Sequence, residues 1–157
     1  MHNPTPKSMI IGATKYFDAA ETLWPLNTDL VHQSSKPSIF VVYYLIGHSI
    51  ELSLKSFLLR RGLKKEELKN KYGHDLSALL SESRRRKLGN IVKLTQGEIK
   101  AIQLLKVSYN GKMLEYTETG FYRFPPYILI HGIAYKLHSK IRRFCGLRRP
   151  FKSKFKT

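Results

Sequence analysis

Five residues near the end of the chain could do chemistry together. Tyr127, His131, Tyr135, His138 and Arg142 recur at steps of three and four, which places them along one face of a helix. His138 and Arg142 are four apart, so their side chains can be neighbours. A histidine there could exchange protons with a ribose 2′-hydroxyl or a leaving oxygen. The arginine would hold the phosphate and its developing charge. That chemistry is RNA cleavage without a metal, with His131, His138 and Arg142 as candidate catalytic residues. The plainer reading is a half-buried aromatic face carrying two ordinary histidines.

A second group lies upstream. Tyr44, His48, Glu51 and Lys55 also share a helical face. Glu51 precedes Lys55 by four, the favourable order for an ion pair within a helix. His74 stands just before another helix and could reach Glu51 from there. The group is a polar or nucleotide-binding pocket, or a satisfied cluster that locks two helices together. The sequence favours the cluster, because buried charges survive mainly when paired and hydrogen-bonded.

Charge is the third signal. The 157 residues hold 28 Lys and Arg against 11 Asp and Glu, for a net charge of +17. Such an excess repels itself unless a polyanion neutralises it, so RNA or another polyanion is the expected partner. After Glu118 there are ten Lys or Arg and no carboxylate. Arg123, Arg142, Arg143, Arg148, Arg149, Lys152, Lys154 and Lys156 are the candidate nucleic-acid contacts. Phe151 and Phe155 interleave with the last of them, and rings can stack on unpaired bases. An acidic membrane surface or a solvated tail fits the same residues.

Other chemistries lack their residues. The histidines show no tight metal spacing, and Cys145 has no second cysteine for a zinc site, so no metal is expected. Phosphate-loop, dinucleotide-binding and nucleophile-elbow motifs are missing, so no cofactor is expected either. A lone cysteine forms no disulfide within the chain, which favours a reducing compartment. The apolar run from Ile39 to Gly47 is too short to span a bilayer, and the start of the chain does not read as a signal peptide. The expected location is the cytoplasm.

Helices must position these groups. An apolar stripe of Ile11, Tyr16, Ala19, Ala20 and Leu23 predicts a first helix from Ser8, its cap, to Trp24, ended by Pro25. Ile39, Tyr43, Ile46, Ile50, Leu54 and Phe57 predict a second, from about Pro37 to Gly62. It is apolar on several sides and therefore central. A short helical turn is expected over 64–71. Asp75 should cap a third main helix running to Leu88. Thr95 and Glu98 form a capping box for a fourth. Residues 110–126, rich in Gly, Pro, Tyr and Thr, read as a long loop or small hairpin. A last helix follows from about Pro126 to Phe144. The expected fold is a single all-α bundle of four to five helices over 8–145. A flexible lead covers 1–7, and a basic, disordered tail covers 146–157.

Between Gly47 and Leu80 the chain resembles the HEPN family of small helical bundles. The residues that carry the resemblance are Ser49-Ile50-Glu51-Leu52-Ser53-Leu54-Lys55-Ser56 and His74-Asp75-Leu76. Tyr16-Phe17-Asp18-Ala19-Ala20 fits a first helix of that type, and either Tyr122-Arg123-Phe124-Pro125 or Leu114-Glu115-Tyr116, where glutamate replaces the arginine, fits an element that precedes the last helix. The resemblance implies a role in RNA processing, defence or a toxin–antitoxin pair. It also implies a homodimer, or a nucleotidyltransferase or acidic protein as partner. Ribonuclease members carry an Arg followed by a His on the last helix, with four to six residues between them. That motif is absent here, since seven residues separate Arg123 from His131.

Overall fold

A computed structural model describes residues 3–28, 39–110 and 124–155. Within them the chain is helical, with no strand. The helices are α1 (Pro6–Thr28), α2 (Ile39–Arg60), the single turn α3 (Lys65–Glu67), α4 (Leu76–Arg85), α5 (Gln96–Asn110) and α6 (Tyr127–Phe144). The long connection before α6, with its expected hairpin and Arg123, lies outside the described residues, as does Lys156.

Helix α1 starts earlier than its expected cap at Ser8. Thr5 and Ser8 bond reciprocally, each hydroxyl accepting from the other's backbone N–H at 2.9 and 3.0 Å. Thr5 is therefore the cap, and Pro6 takes the first helical position, where its missing N–H costs nothing. The helix also runs through Pro25 to Thr28 rather than stopping there. Trp24 stacks on Tyr127 of α6 with ring centroids 3.9 Å apart, and that packing steadies the turn where the proline removes a bond.

Helix α2 is the centre of the bundle. Ile46, Ile50, Leu54, Phe57 and Leu58 are wholly buried on it, and it packs against α1, α4, α5 and α6. Its buried serines let neighbours approach closely. Ser53 Oγ donates to Ser49 O at 2.8 Å, and Ser56 Oγ donates to Pro6 O at 2.7 Å, tying the start of α1 to α2.

After α3 the chain takes a wider turn over Leu68–Tyr72 and reverses at Gly73, whose φ of 49° suits a residue without a Cβ. Asp75 caps α4 by accepting from Ala78 N at 2.9 Å. Lys106 of α5 holds its other oxygen at 2.8 Å. Helix α4 ends before the expected Leu88, because Lys87 turns left-handed at φ 66°. That turn drives Leu88 into the core, where it is 1% exposed. Helix α5 carries its capping box, with Thr95 N donating to Glu98 at 2.7 Å and Glu98 N to Thr95 Oγ1 at 3.2 Å. Lys136 of α6 reaches Glu98 at 2.6 Å and joins the two helices.

The end of α6 decides the course of the tail. Gly146 has φ 85°. Its N–H bonds to Arg143 O at 3.0 Å, and Leu147 N–H bonds to Arg142 O at 2.9 Å. This is a Schellman closure, and it turns the chain back toward the bundle. Residues 146–155 do not form the disordered tail expected from their charge. Phe151 and Phe155 pack against the core, and Tyr135 donates to Phe151 O at 3.3 Å. Two half-buried rings supply the apolar surface that a run of cations lacks.

Candidate functional site

The returning tail and α6 enclose a groove of about 590 Å³. Tyr135, Ser139, Lys140 and Arg143 line it from α6; Arg148, Arg149, Pro150 and Phe151 line it from the tail. Lys140, Arg143, Arg148 and Arg149 are all exposed. Among the described residues none of the four has a carboxylate within 4.0 Å, whereas Lys55, Arg85, Arg86, Lys106 and Lys136 are all paired. The groove is thus a cluster of cations without internal counterions, walled by two half-buried rings. Its charge is complementary to a chain of phosphates. Sequence reasoning missed Lys140, which stands one helical turn before Arg143 on the same face.

The other cations named from the sequence go elsewhere. Arg142 turns inward, donating to Thr14 Oγ1 at 2.9 Å and lying 5.7 Å from the centre of the Phe151 ring. Lys154 donates to Thr22 Oγ1 at 2.6 Å, and its backbone N–H donates to Glu21 at 2.9 Å. Lys152 is exposed but does not line the groove.

His131, His138 and Arg142 lie together at the seam of α1, α6 and the tail, but neither histidine faces a cleft. His131 is buried, with Nε2 2.8 Å from Glu21 Oε1. Glu21 is also buried and accepts from Ser153 Oγ as well. The rings of Phe17, Tyr127 and Phe155 surround His131. His138 is wholly buried. Its Nε2 meets Thr14 Oγ1 at 2.9 Å, its Nδ1 meets Ser53 Oγ at 3.3 Å, and Phe151 closes over it with centroids 4.4 Å apart. Both nitrogens are occupied, and a phosphate reaches neither imidazole unless the tail moves. The candidate catalytic face is packed as a seam, in line with the plainer of its two readings.

Burial, followed by repulsion from Arg142, pushes the His138 pKa down from 6.5 to about 3. The imidazole stays neutral in the fold while the unfolded chain takes up a proton below pH 6.5. Stability should therefore be full above pH 6.5 and fall as pH drops toward 3, by up to about 1.4 kcal/mol per pH unit. Urea unfolding at pH 7.5, 6 and 5 checks this, and NMR should show the His138 ring still neutral at pH 5. A ring that titrates near 6.5 in the folded protein would refute it.

The second cluster is built on α2. Glu51 is buried, and its Oε1 accepts from Lys55 Nζ at 2.6 Å. His48 Nδ1 stands 3.3 Å from Oε2, and His74 Nδ1 stands 3.1 and 3.2 Å from the two oxygens. The His48 ring meets Tyr16 edge-on at 4.3 Å and stacks on Tyr44 at 5.8 Å. Helix spacing makes His48, Glu51 and Lys55 neighbours. His74 arrives only because the Gly73 reversal and the Asp75 cap bring the start of α4 against α2.

No family model, curated protein or solved structure matches this chain.

Proposed function

We propose that the protein is an RNA-binding domain of HEPN-like helical type, which grips single-stranded RNA in the groove between α6 and the tail. One observation carries the proposal. Lys140, Arg143, Arg148 and Arg149 converge on one groove without a carboxylate among them, in a chain that pairs many of its other cations. Leaving four like charges together costs repulsion, and a bound polyanion relieves it. Phosphates would lie along the cations, and bases would stack on the exposed parts of Tyr135 and Phe151.

Fluorescence anisotropy with a labelled single-stranded RNA tests this. Four phosphate contacts on a single strand give a slope of about −3 for log affinity against log salt. The triple variant Arg143→Glu, Arg148→Glu, Arg149→Glu should bind about 100-fold more weakly and unfold at an unchanged temperature, since these side chains hold nothing else in place. Affinity that ignores salt, or that survives the triple reversal, would sink the proposal.

A further inference from the structure

We infer that His48, Glu51 and His74 form a binding site for a divalent transition-metal ion of the zinc class. The three residues offer one ligand atom each, and all lie within 4.8 Å of one another. Two of the three spacings are those of a coordination shell. A tetrahedral ion with bonds of about 2.0–2.1 Å sets its ligand atoms about 3.3–3.4 Å apart. Here Glu51 Oε2 lies 3.3 Å from His48 Nδ1 and 3.2 Å from His74 Nδ1. Two imidazoles, borderline donors, beside a single hard carboxylate suit Zn²⁺ rather than Mg²⁺ or Ca²⁺.

The surroundings hold this set in place. Lys55 holds carboxylate oxygen Oε1 at 2.6 Å and so fixes the carboxylate, with Oε2 beside His48 and both oxygens beside His74. Its charge opposes a cation nearby and so weakens the site. Tyr16 and Tyr44 fix the plane of the His48 ring. Asp75, anchored by its cap and by Lys106, fixes the backbone beside His74. Glu51 is 1% exposed, His48 16% and His74 72%, so the set climbs from the interior to the surface. An ion there would keep an outward position for water or a further ligand. Each ring binds through the Nδ1 lone pair and carries its proton on Nε2.

The spacing in sequence conceals the site. His48 and Glu51 are three apart, but the third ligand lies 23 residues beyond Glu51. The sequence therefore points to no metal, and the fold assembles the set.

Full-length protein stripped by a chelator and dialysed should be titrated with Zn²⁺ by calorimetry and with Co²⁺ by visible absorption. The expected result is one ion per chain and the intense visible bands of four-coordinate Co²⁺. His74→Ala and His48→Ala should each weaken binding at least tenfold. His74 is mostly exposed, so its variant should fold, and a far-UV spectrum confirms it. Absence of saturable binding up to millimolar Zn²⁺ would overturn the inference. So would an affinity unchanged in His74→Ala, which would place the ion on other histidines.

Discussion

Phe17→Ala should lower the stability of this protein by about 4 kcal/mol, the largest effect expected from any single change at the seam of α1, α6 and the tail. Phe17 is wholly buried. Its ring lies 4.9 Å from His131, 6.0 Å from His138, 6.4 Å from Tyr135 and 5.1 Å from Phe151, measured between centroids. It therefore touches both buried histidines, the wall of the groove and the tail. Truncation loses the transfer energy of the ring and leaves a cavity beside two polar imidazoles, which cannot collapse into it without giving up Thr14, Ser53 or Glu21. The midpoint of urea unfolding should drop with little change in slope. A loss below about 1 kcal/mol would mean that the seam repacks freely and that its aromatic contacts are incidental.

Glu21→Ala is the second, expected to cost about 3 kcal/mol. The Glu21 carboxylate accepts from His131, from Ser153 Oγ and from Lys154 N. Removing it leaves a buried imidazole and a backbone N–H without their acceptor, and each orphan pays its desolvation cost. The tail also loses its polar anchor. Trypsin should then cut after Arg148 or Lys152 much faster than in the parent, before the bundle itself is digested. Resistance equal to the parent would show that Phe151 and Phe155 alone hold the tail. Because Phe17 and Glu21 share His131 as a partner, the two substitutions should not add. The double variant should cost less than their sum, and a double-mutant cycle reads the difference.

Loosening the tail also bears on function. Arg148 and Arg149 form half of the groove and are presented by the same segment that Glu21 and Phe17 retain. RNA affinity should therefore weaken in Glu21→Ala at a temperature where the bundle is still folded, through loss of the wall rather than loss of a cation.

Much of the architecture follows from local rules that act over a few residues. A central, apolar α2, the Asp75 cap, the Thr95–Glu98 box and the aromatic–histidine face of α6 are all statements about neighbours one helical turn apart, so they are legible in the sequence. The pairing of Glu51 with Lys55 is of the same kind. The boundaries moved where packing outweighed local preference. Trp24 on Tyr127 carries α1 past Pro25, and burial of Leu88 ends α4 early.

What tertiary structure alone decided is which faces are covered. The Tyr127–His131–Tyr135–His138 stripe reads equally well as a reactive surface or as a core face, because periodicity states that residues share a side and not what lies against it. The tail settled this by folding back after Gly146 and laying Phe151 and Phe155 over the histidines. Composition points the other way, since a run of cations lowers mean hydropathy while two well-placed rings decide the packing. The same fold-back gathered Arg148 and Arg149 beside Lys140 and Arg143 into one groove. It drew Arg142 inward to Thr14. It was likewise the reversal at Gly73 that carried His74 to Glu51. Sequence determined the helices and their charges; long-range closure, at the cost of chain entropy, determined which charges meet.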